Sequence, residues 1–244
     1  MLDPDSPIPL YRQLADELGA AMRAGAYAVG SQIPSEHELA RRYRLGRPTV
    51  RQATDLLVRR GLLVRRRGSG TFVAAPRPEV DLFTLAGTLA AFARTGLTLR
   101  TRLLEVPRLR PVPADPDNPF GGRRSYSFAR LGQLDRVPVL VEHLFLDPAV
   151  FPALDTLPLA EKPLSELVEQ RYSLRPKGGR QLLGAITAPA RWAKRLGVTS
   201  FTPLLLVRRW LDFPGAPAAL YARMYCRSDQ VALTQTLGPD RAFG

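Results

Sequence analysis

The sequence has very few of the residues from which disulfide frameworks and metal centres are built. Its 244 residues include one cysteine, Cys226, and two histidines, His37 and His143. A single cysteine cannot form an internal disulfide, and three such residues scattered along the chain do not make a cluster of zinc ligands. We therefore expect no metal site and no cofactor, and the cysteine content is typical of a protein of the reducing cytoplasm.

Long hydrophobic runs are also missing. No stretch approaches the roughly 18 apolar residues of a membrane-spanning helix. The first ten residues, MLDPDSPIPL, are acidic and proline-rich, whereas a secretion signal would be basic and then apolar. We expect neither secretion nor insertion into a membrane.

Acidic residues are outnumbered by basic ones. The chain has 35 Lys and Arg against 22 Asp and Glu, which gives a formal net charge of +13. Basic side chains that neutralise phosphates release counterions, so a nucleic acid is the first partner to consider. The charge alone does not decide this, because an arginine- and alanine-rich composition is also what a GC-rich genome produces.

The chain divides into a helical N-terminal part and a strand-rich C-terminal part. Helical periodicity and capping signals predict three helices and a short basic hairpin within residues 1–74, and the Ala/Pro-rich segment 75–80 predicts a linker. Beyond it, apolar runs of strand length predict a second domain over residues 81–244. The fold class is therefore α+β.

The N-terminal helices have recognisable ends. Ser35 with Glu38 three residues later predicts a capping box at the start of a second helix that ends near Tyr43. Pro48 in a first turn and Gly61 as a left-handed cap predict a third helix. The start of this third helix carries side chains of the types that pair with bases and phosphates, which are Arg47, Thr49, Arg51 and Gln52. Taken alone, the same pattern is that of an ordinary solvated helix face.

The segment from Leu62 to Val73 predicts a hairpin with a basic tip. Gly68 and Gly70 have no side chain, so this tip can approach a sugar-phosphate backbone closely and bring Arg67 to a minor groove. A nucleotide-binding loop is the alternative, but no helix follows Gly-Ser-Gly to supply its N-terminus to a phosphate.

Together these segments resemble the GntR family of bacterial transcription regulators. The resemblance covers about the first 75 residues and rests on LYRQL at 10–14, PSEHELA at 34–40, TVRQA at 49–53, GLL at 61–63 and RGSGTFV at 67–73. It implies a winged helix-turn-helix that binds double-stranded palindromic operator DNA as a homodimer. The DNA contacts that it implies are Ser35, Glu36, Arg47, Pro48, Thr49, Arg51, Gln52, Arg67, Gly68, Ser69 and Gly70. The family often has arginine where this chain has His37, and a neutral imidazole would weaken that phosphate contact.

The C-terminal part resembles, more loosely, the UTRA effector domain of the HutC-type branch, which is similar in fold to chorismate lyase. The resemblance rests on Arg130, the stretch 135–142, FPAL at 151–154, LSEL at 164–167 with Tyr172, and RSD at 227–229. It implies an antiparallel sheet and a small-molecule effector that is bound by Arg130, Glu142 and Ser165.

Strand alternation supports a pocket independently of the resemblance. It places Glu142 on one face with Leu140 and Leu144, and Arg130 on one face with Phe128. A charge on an apolar face needs a partner. Either a ligand or a buried Arg130–Glu142 salt bridge that closes on itself would provide one.

Departures from the family pattern limit the range of possible effectors. Some relatives have a second arginine where this chain has Gly132, and an acidic and an aromatic residue where it has Leu220 and Cys226. We expect a pocket that is less cationic and less polar than a sugar-phosphate site, which favours a smaller or more apolar ligand.

The sequence thus predicts a DNA-binding transcription regulator, a repressor, whose operator affinity is controlled by a small molecule. Two alternatives stay open. Glu142 and Arg130 could serve a lyase-like enzyme as acid and electrostatic clamp, but we assign no catalytic residue because no nucleophile–base pair or cofactor motif accompanies them. The other alternative is a constitutive DNA-binding dimer with no ligand.

Overall fold

The computed structural model describes residues 2–82, 84–160 and 162–235. Two compact units follow each other along the chain and divide between Arg77 and Pro78. Each unit has a hydrophobic core of its own. Within the described residues, no helix is both long and apolar enough to cross a membrane.

The first unit consists of three helices followed by an antiparallel hairpin. Its elements are α1 (Leu10–Arg23), α2 (Glu36–Tyr43), α3 (Arg47–Arg59), β1 (Leu63–Arg66) and β2 (Gly70–Val73). Apolar side chains at helical spacing pack the three helices together. The side chains at the centre of this core are at most 1% exposed and include Leu14, Leu18, Leu39, Val50 and Leu57. This is the arrangement expected of a winged helix-turn-helix.

Local sequence signals set the ends of α2 and α3. The Ser35 hydroxyl accepts a hydrogen bond from the Glu38 amide, and the Glu38 carboxylate accepts one from the Ser35 amide, so the predicted capping box is present. Pro48 lies in the first turn of α3 as predicted. The last helical residue of α3 is Arg59, and Gly61, with φ 71°, is the predicted left-handed cap. The Gly61 amide donates to the Val58 carbonyl at 3.0 Å and closes the helix end.

The second unit is built on one six-stranded antiparallel sheet. In spatial order its strands are β4 (Arg100–Pro111), β5 (Arg124–Leu134), β6 (Val137–Leu146), β9 (Ala216–Cys226), β8 (Pro203–Phe213) and β7 (Gly178–Thr187). The helices are α4 (Thr88–Arg94), α5 (Leu164–Tyr172) and α6 (Ala190–Leu196), with a 3₁₀ turn at Leu154–Thr156. The predicted α+β class with an antiparallel C-terminal sheet is confirmed.

A short parallel strand pair lies at the start of the second unit. β3 (Glu79–Val80) pairs with β10 (Ala232–Leu233). The Ala232 amide donates to the Pro78 carbonyl at 3.0 Å. Residues 78–80 of the predicted linker 75–80 therefore belong to the second unit.

Different helices cover the two faces of the six-stranded sheet. α4 and α5 pack on one face, which we call the effector face, with Phe92 and Leu167 in its cores. α6 packs on the opposite face through Trp192. Because successive strand residues point to opposite faces, the neighbours Glu142 and His143 lie in different layers.

Candidate functional site

The start of α3 carries the first group of predicted DNA contacts. These residues are exposed or half-buried and are Arg47, Pro48, Thr49, Arg51 and Gln52. The opposite side of the helix is buried and consists of Val50, Ala53, Thr54 and Leu57. α3 therefore presents a hydrogen-bonding face, and the unpaired amides of its first turn favour a phosphate.

The hairpin tip carries the second group. Arg67, Gly68 and Ser69 form the turn between β1 and β2, Gly70 begins β2, and all four are exposed. The Ser69 amide donates to the Arg66 carbonyl at 3.0 Å, which closes the turn. Gly68 and Gly70 have φ values of 74° and 120°, a region that side chains disfavour, so the tip stays narrow.

Two predicted DNA contacts are engaged within the unit. The Ser35 hydroxyl caps α2, and the Glu36 carboxylate accepts a hydrogen bond from Arg65 Nη2 at 3.2 Å. Arg65 also donates to Thr54 Oγ1 at 2.8 Å and pairs with Asp55. Arg65 thus holds β1 against α2 and α3, a structural role that the run of three arginines at 65–67 did not reveal.

The three predicted effector residues line one cavity on the effector face. Its volume is about 50 Å³, and Arg130, Glu142 and Ser165 all contribute to its wall. Most of the remaining wall is apolar and includes Leu89, Leu144, Leu164, Val168, Phe213 and Leu220. An apolar chamber with a few polar groups is the usual form of a small-molecule site.

Arg130 and Glu142 form a buried ion pair in this wall. They lie directly opposite each other on β5 and β6, and their side chains are 2% and 6% exposed. Nε and Nη2 of Arg130 both donate to Glu142 Oε2, Nε at 3.1 Å, and Thr88 Oγ1 donates to Oε1 at 2.5 Å. Burial raises the pKa of Glu142, but Arg130 and Thr88 outweigh it and hold the pKa below its ordinary value. Arg130 Nη1 has no hydrogen-bond partner among the described residues. This nitrogen can therefore donate to a ligand in the cavity.

Arg209 supplies a second guanidinium to the same cavity. It lies on β8 opposite Ala222 and is 5% exposed. Its Nε donates to Gln181 Oε1 at 2.8 Å, and its Nη2 donates to the carbonyl of Leu82. Burial lowers the pKa of Arg209, and Glu142 opposes that shift.

Sequence reasoning missed Arg209, although a signal was present. Alternation along β8 puts this arginine on the same face as the buried Val207. The expectation of a less cationic pocket considered only Gly132, Leu220 and Cys226. Of these, Leu220 lines the cavity, while Cys226 packs in the neighbouring core.

The opposite sheet face carries a larger cleft, of about 500 Å³, which we call the second cleft. His143 lies in its wall, with Nε2 at 3.3 Å from Ser127 Oγ. Burial and the neighbouring Arg191 lower the pKa of His143 to about 4. The ring is therefore neutral near pH 7.

Comparison with known proteins identifies both units. Residues 10–73 match the family described as bacterial regulatory proteins, gntR family, and residues 94–232 match the UTRA domain. The chain belongs to the GntR family. Its UTRA domain confirms the resemblance to the HutC-type branch, and it makes the chain a DNA-binding transcription regulator with an effector-binding domain.

Similar proteins span nearly the whole length of this GntR regulator. The probable fructoselysine utilization operon transcriptional repressor of Shigella flexneri is 25% identical, with 92% of this chain and 93% of its own covered. The histidine utilization repressor of Klebsiella aerogenes is 28% identical, with 89% and 95% covered. The crystal structure of PhnF from Mycobacterium smegmatis has the same fold, with a TM-score of 0.61 at 23% identity over 93% of this chain and 99% of that one.

These families and relatives are regulators and not enzymes, so the lyase-like alternative is set aside. Among the described residues, no group of three or more His, Cys, Asp or Glu side chains is placed to hold a metal ion.

Replacing Arg65 with alanine should destabilise the first unit. The change removes the contacts of Arg65 with Glu36, Asp55 and Thr54. Because these groups are partly exposed, we expect a loss of about 1 kcal/mol, measured by urea unfolding of the full chain. Arg67→Ala, at an exposed position two residues away, is the matched control and should change stability by less than about 0.5 kcal/mol. Equal losses in both variants would contradict the role of Arg65.

His143 should make the second unit sensitive to acid. Its pKa is about 4 in the folded protein and about 6.5 when unfolded, so the unfolded state binds more protons between these values. Stability therefore falls as the pH drops from 6.5 towards 4. The part of this loss between pH 6.5 and 5 is about 2 kcal/mol, at about 1.4 kcal/mol per pH unit.

Urea unfolding at pH 7 and pH 5 measures this loss. Carboxylates such as Glu105 and Asp229 have lowered pKa values, so their contribution is lost below this window. His143→Gln should remove most of the pH dependence, whereas His37→Gln, at the exposed histidine, should keep it. The same dependence in all three proteins would show that His143 is not its source.

Proposed function

We propose that this regulator is a repressor that binds a palindromic operator as a homodimer in the cytoplasm and releases it when a small molecule occupies the effector cavity. The proposal rests on one observation. The same chain combines a helix and a hairpin tip that expose basic residues with a cavity that contains a buried ion pair. The Shigella flexneri and Klebsiella aerogenes relatives are named as repressors, which supports the direction of control.

On the operator, α3 lies in the major groove and the wing tip reaches the adjacent minor groove. Arg47 and Arg51 donate to bases and phosphates, with Thr49 and Gln52 beside them. Arg67 contributes charge at the tip, where Gly68, Ser69 and Gly70 allow close approach.

Ser35 and Glu36 act at the start of α2. The free amides of this helix end face the DNA backbone and favour a phosphate. The Glu36 carboxylate would repel a phosphate, and it is bonded to Arg65, so its role is to position the wing strand.

Two-fold symmetry follows from the way such a motif reads DNA. One recognition helix covers a single half-site, and two helices related by a two-fold axis meet two half-sites related in the same way. The operator is therefore a palindrome and the binding unit is a homodimer.

The effector occupies the cavity between α4, α5 and the sheet. Its polar group bonds Arg130 and Glu142, and Ser165 lies at the rim, where its hydroxyl donates to the Ala86 carbonyl at 2.9 Å. A cavity of about 50 Å³ is far smaller than the roughly 300 to 1,000 Å³ of most small-molecule sites. A larger ligand must therefore displace the segment 84–89 or the start of α5, and it selects a state in which these elements have moved.

DNA reading is tested by Arg47→Ala and Arg67→Ala. Loss of Arg47 should remove discrimination between bases worth roughly 1 to 3 kcal/mol. Loss of Arg67 should weaken binding to all sequences alike, and it should reduce the slope of log affinity against log salt concentration by about one. Fluorescence anisotropy on operator and scrambled duplexes over a range of salt concentrations measures both. Arg59→Ala, exposed at the far end of α3, is the control. Equal losses of specificity in the first two variants would show that Arg47 is not the reader.

The effector assignment needs a variant that does not leave a charge unpaired. Glu142→Gln alone leaves the buried Arg130 without a charged partner, which lowers stability by about 3 to 5 kcal/mol. Replacing both partners by apolar residues often leaves stability unchanged. The double variant Arg130→Met with Glu142→Leu should therefore melt near the parent temperature and bind operator normally. It should lose ligand response, because the polar anchors of the effector are gone.

A thermal-shift screen of metabolites first identifies the ligand, and ligand-dependent operator release is then measured on each variant. Arg175→Met with Glu169→Gln removes an exposed ion pair of the same unit and should respond like the parent. A stable Arg130/Glu142 double variant that still releases operator on ligand addition would refute the effector site. Failure of every metabolite to stabilise the parent would favour the constitutive dimer.

A further inference from the structure

The second cleft lies on the sheet face opposite to the effector cavity. Its wall is formed by β4, β5, β6, β9, α6 and the loop 111–118. At about 500 Å³ its volume falls within the range of small-molecule sites. Neither the helix-turn-helix function nor the effector cavity uses it.

Guanidinium groups dominate the charge around this cleft. Arg110, Arg191 and Arg223 all line it. Glu105 accepts hydrogen bonds from both Arg110, at 2.7 Å, and Arg191, while Asp115 pairs with Arg223. Among the described residues around the cleft, two carboxylates thus pair with three guanidinium groups, which leaves one positive charge for a negatively charged ligand to neutralise.

Flat aromatic surfaces form the floor. The His143 ring lies 4.3 Å from the Phe145 ring and 5.9 Å from the Trp192 ring, centroid to centroid. Arg191 stacks over Trp192 at 4.4 Å, and Tyr225 adds a further ring to the lining. The neutral imidazole offers a hydrogen bond without adding to the charge.

We propose that the second cleft is a ligand site for an oxyanion carried on a planar, apolar body, of which an aromatic carboxylate is the simplest example. Guanidinium groups recognise such an oxyanion through paired, charge-assisted hydrogen bonds. The aromatic floor packs against the body of the ligand. The site stands apart from the proposed effector cavity, since Glu142 and His143 point to opposite faces of the sheet, and either site can fail without the other.

The ion pairs do not by themselves explain the cleft. A network that served only to hold α6 on the sheet would be expected to close over His143. Instead, about 500 Å³ stays open beside it, and Ser127 is the only described residue that hydrogen-bonds its ring.

The test follows the imidazole NMR signals of the full chain during titration with benzoate, acetate and inorganic phosphate. With His37 and His143 as the two histidines, each signal reports on one unit. Benzoate should shift His143 saturably and leave His37 unchanged. It should also raise the pKa of His143 from about 4, because a bound anion stabilises the imidazolium against Arg191, Arg110 and Arg223. Acetate and phosphate, which lack the ring, should bind about tenfold more weakly.

Arg191→Met provides the matched variant. It removes the charge but keeps a side chain that covers Trp192, and it should raise the Kd for benzoate about tenfold. Arg195→Met, exposed on the same helix, should bind benzoate like the parent. Circular dichroism and the dispersion of the amide spectrum check that both variants are folded.

Several outcomes would overturn the proposal. Absence of a saturable His143 shift would exclude the site, and equal affinity for benzoate, acetate and phosphate would mean an adventitious ion only. Unchanged binding in Arg191→Met would show that the guanidinium is not part of it. A His143 shift that depends on protein concentration without benzoate would show that a second copy of the chain covers the cleft.

Discussion

The pairing of β5 with β6 puts Arg130 directly opposite Glu142 in the interior of the six-stranded sheet, and the second unit depends on that register. A slip of one residue would turn Glu142 towards α6 and bring His143 under α4. Either charge would then be buried without its partner, at a cost of several kcal/mol. The ion pair therefore disfavours the slipped register, and the native register decides which side chains of these strands line each cavity.

Buried polar groups on the two faces of the sheet differ in their charge. On the effector face the charge of Glu142 is kept, since Arg130 and Thr88 bond both of its oxygens. On the opposite face His143 loses its charge, because burial and the surrounding arginines favour the neutral ring. Two neighbouring residues of one strand thus have opposite protonation behaviour, and the cause lies in the layers that cover them.

Features set by nearby residues could be predicted from the sequence. The Ser35–Glu38 capping box spans one helical turn, and Arg130 and Glu142 lie on strands joined by one hairpin, so local spacing predicts both. Thr88 contacts Glu142 across 54 residues, and Arg209 reaches Leu82 across 127. Period-2 alternation shows on which face of a strand a residue lies, but it does not show which other strands and helices lie next to that residue. These residues therefore become part of the site only when the chain has folded.

We propose that the start of the second unit is the element through which an effector influences the DNA-binding unit. Arg209, in the cavity wall, donates to the carbonyl of Leu82, two residues beyond β3. The amides of Ala232 and Thr234 donate to the carbonyls of Pro78 and Val80. A ligand that displaces Arg209 thus acts on the segment that leads from the helix-turn-helix. Operator release then needs only unequal ligand affinity for two positions of this segment, and the ligand need not touch DNA.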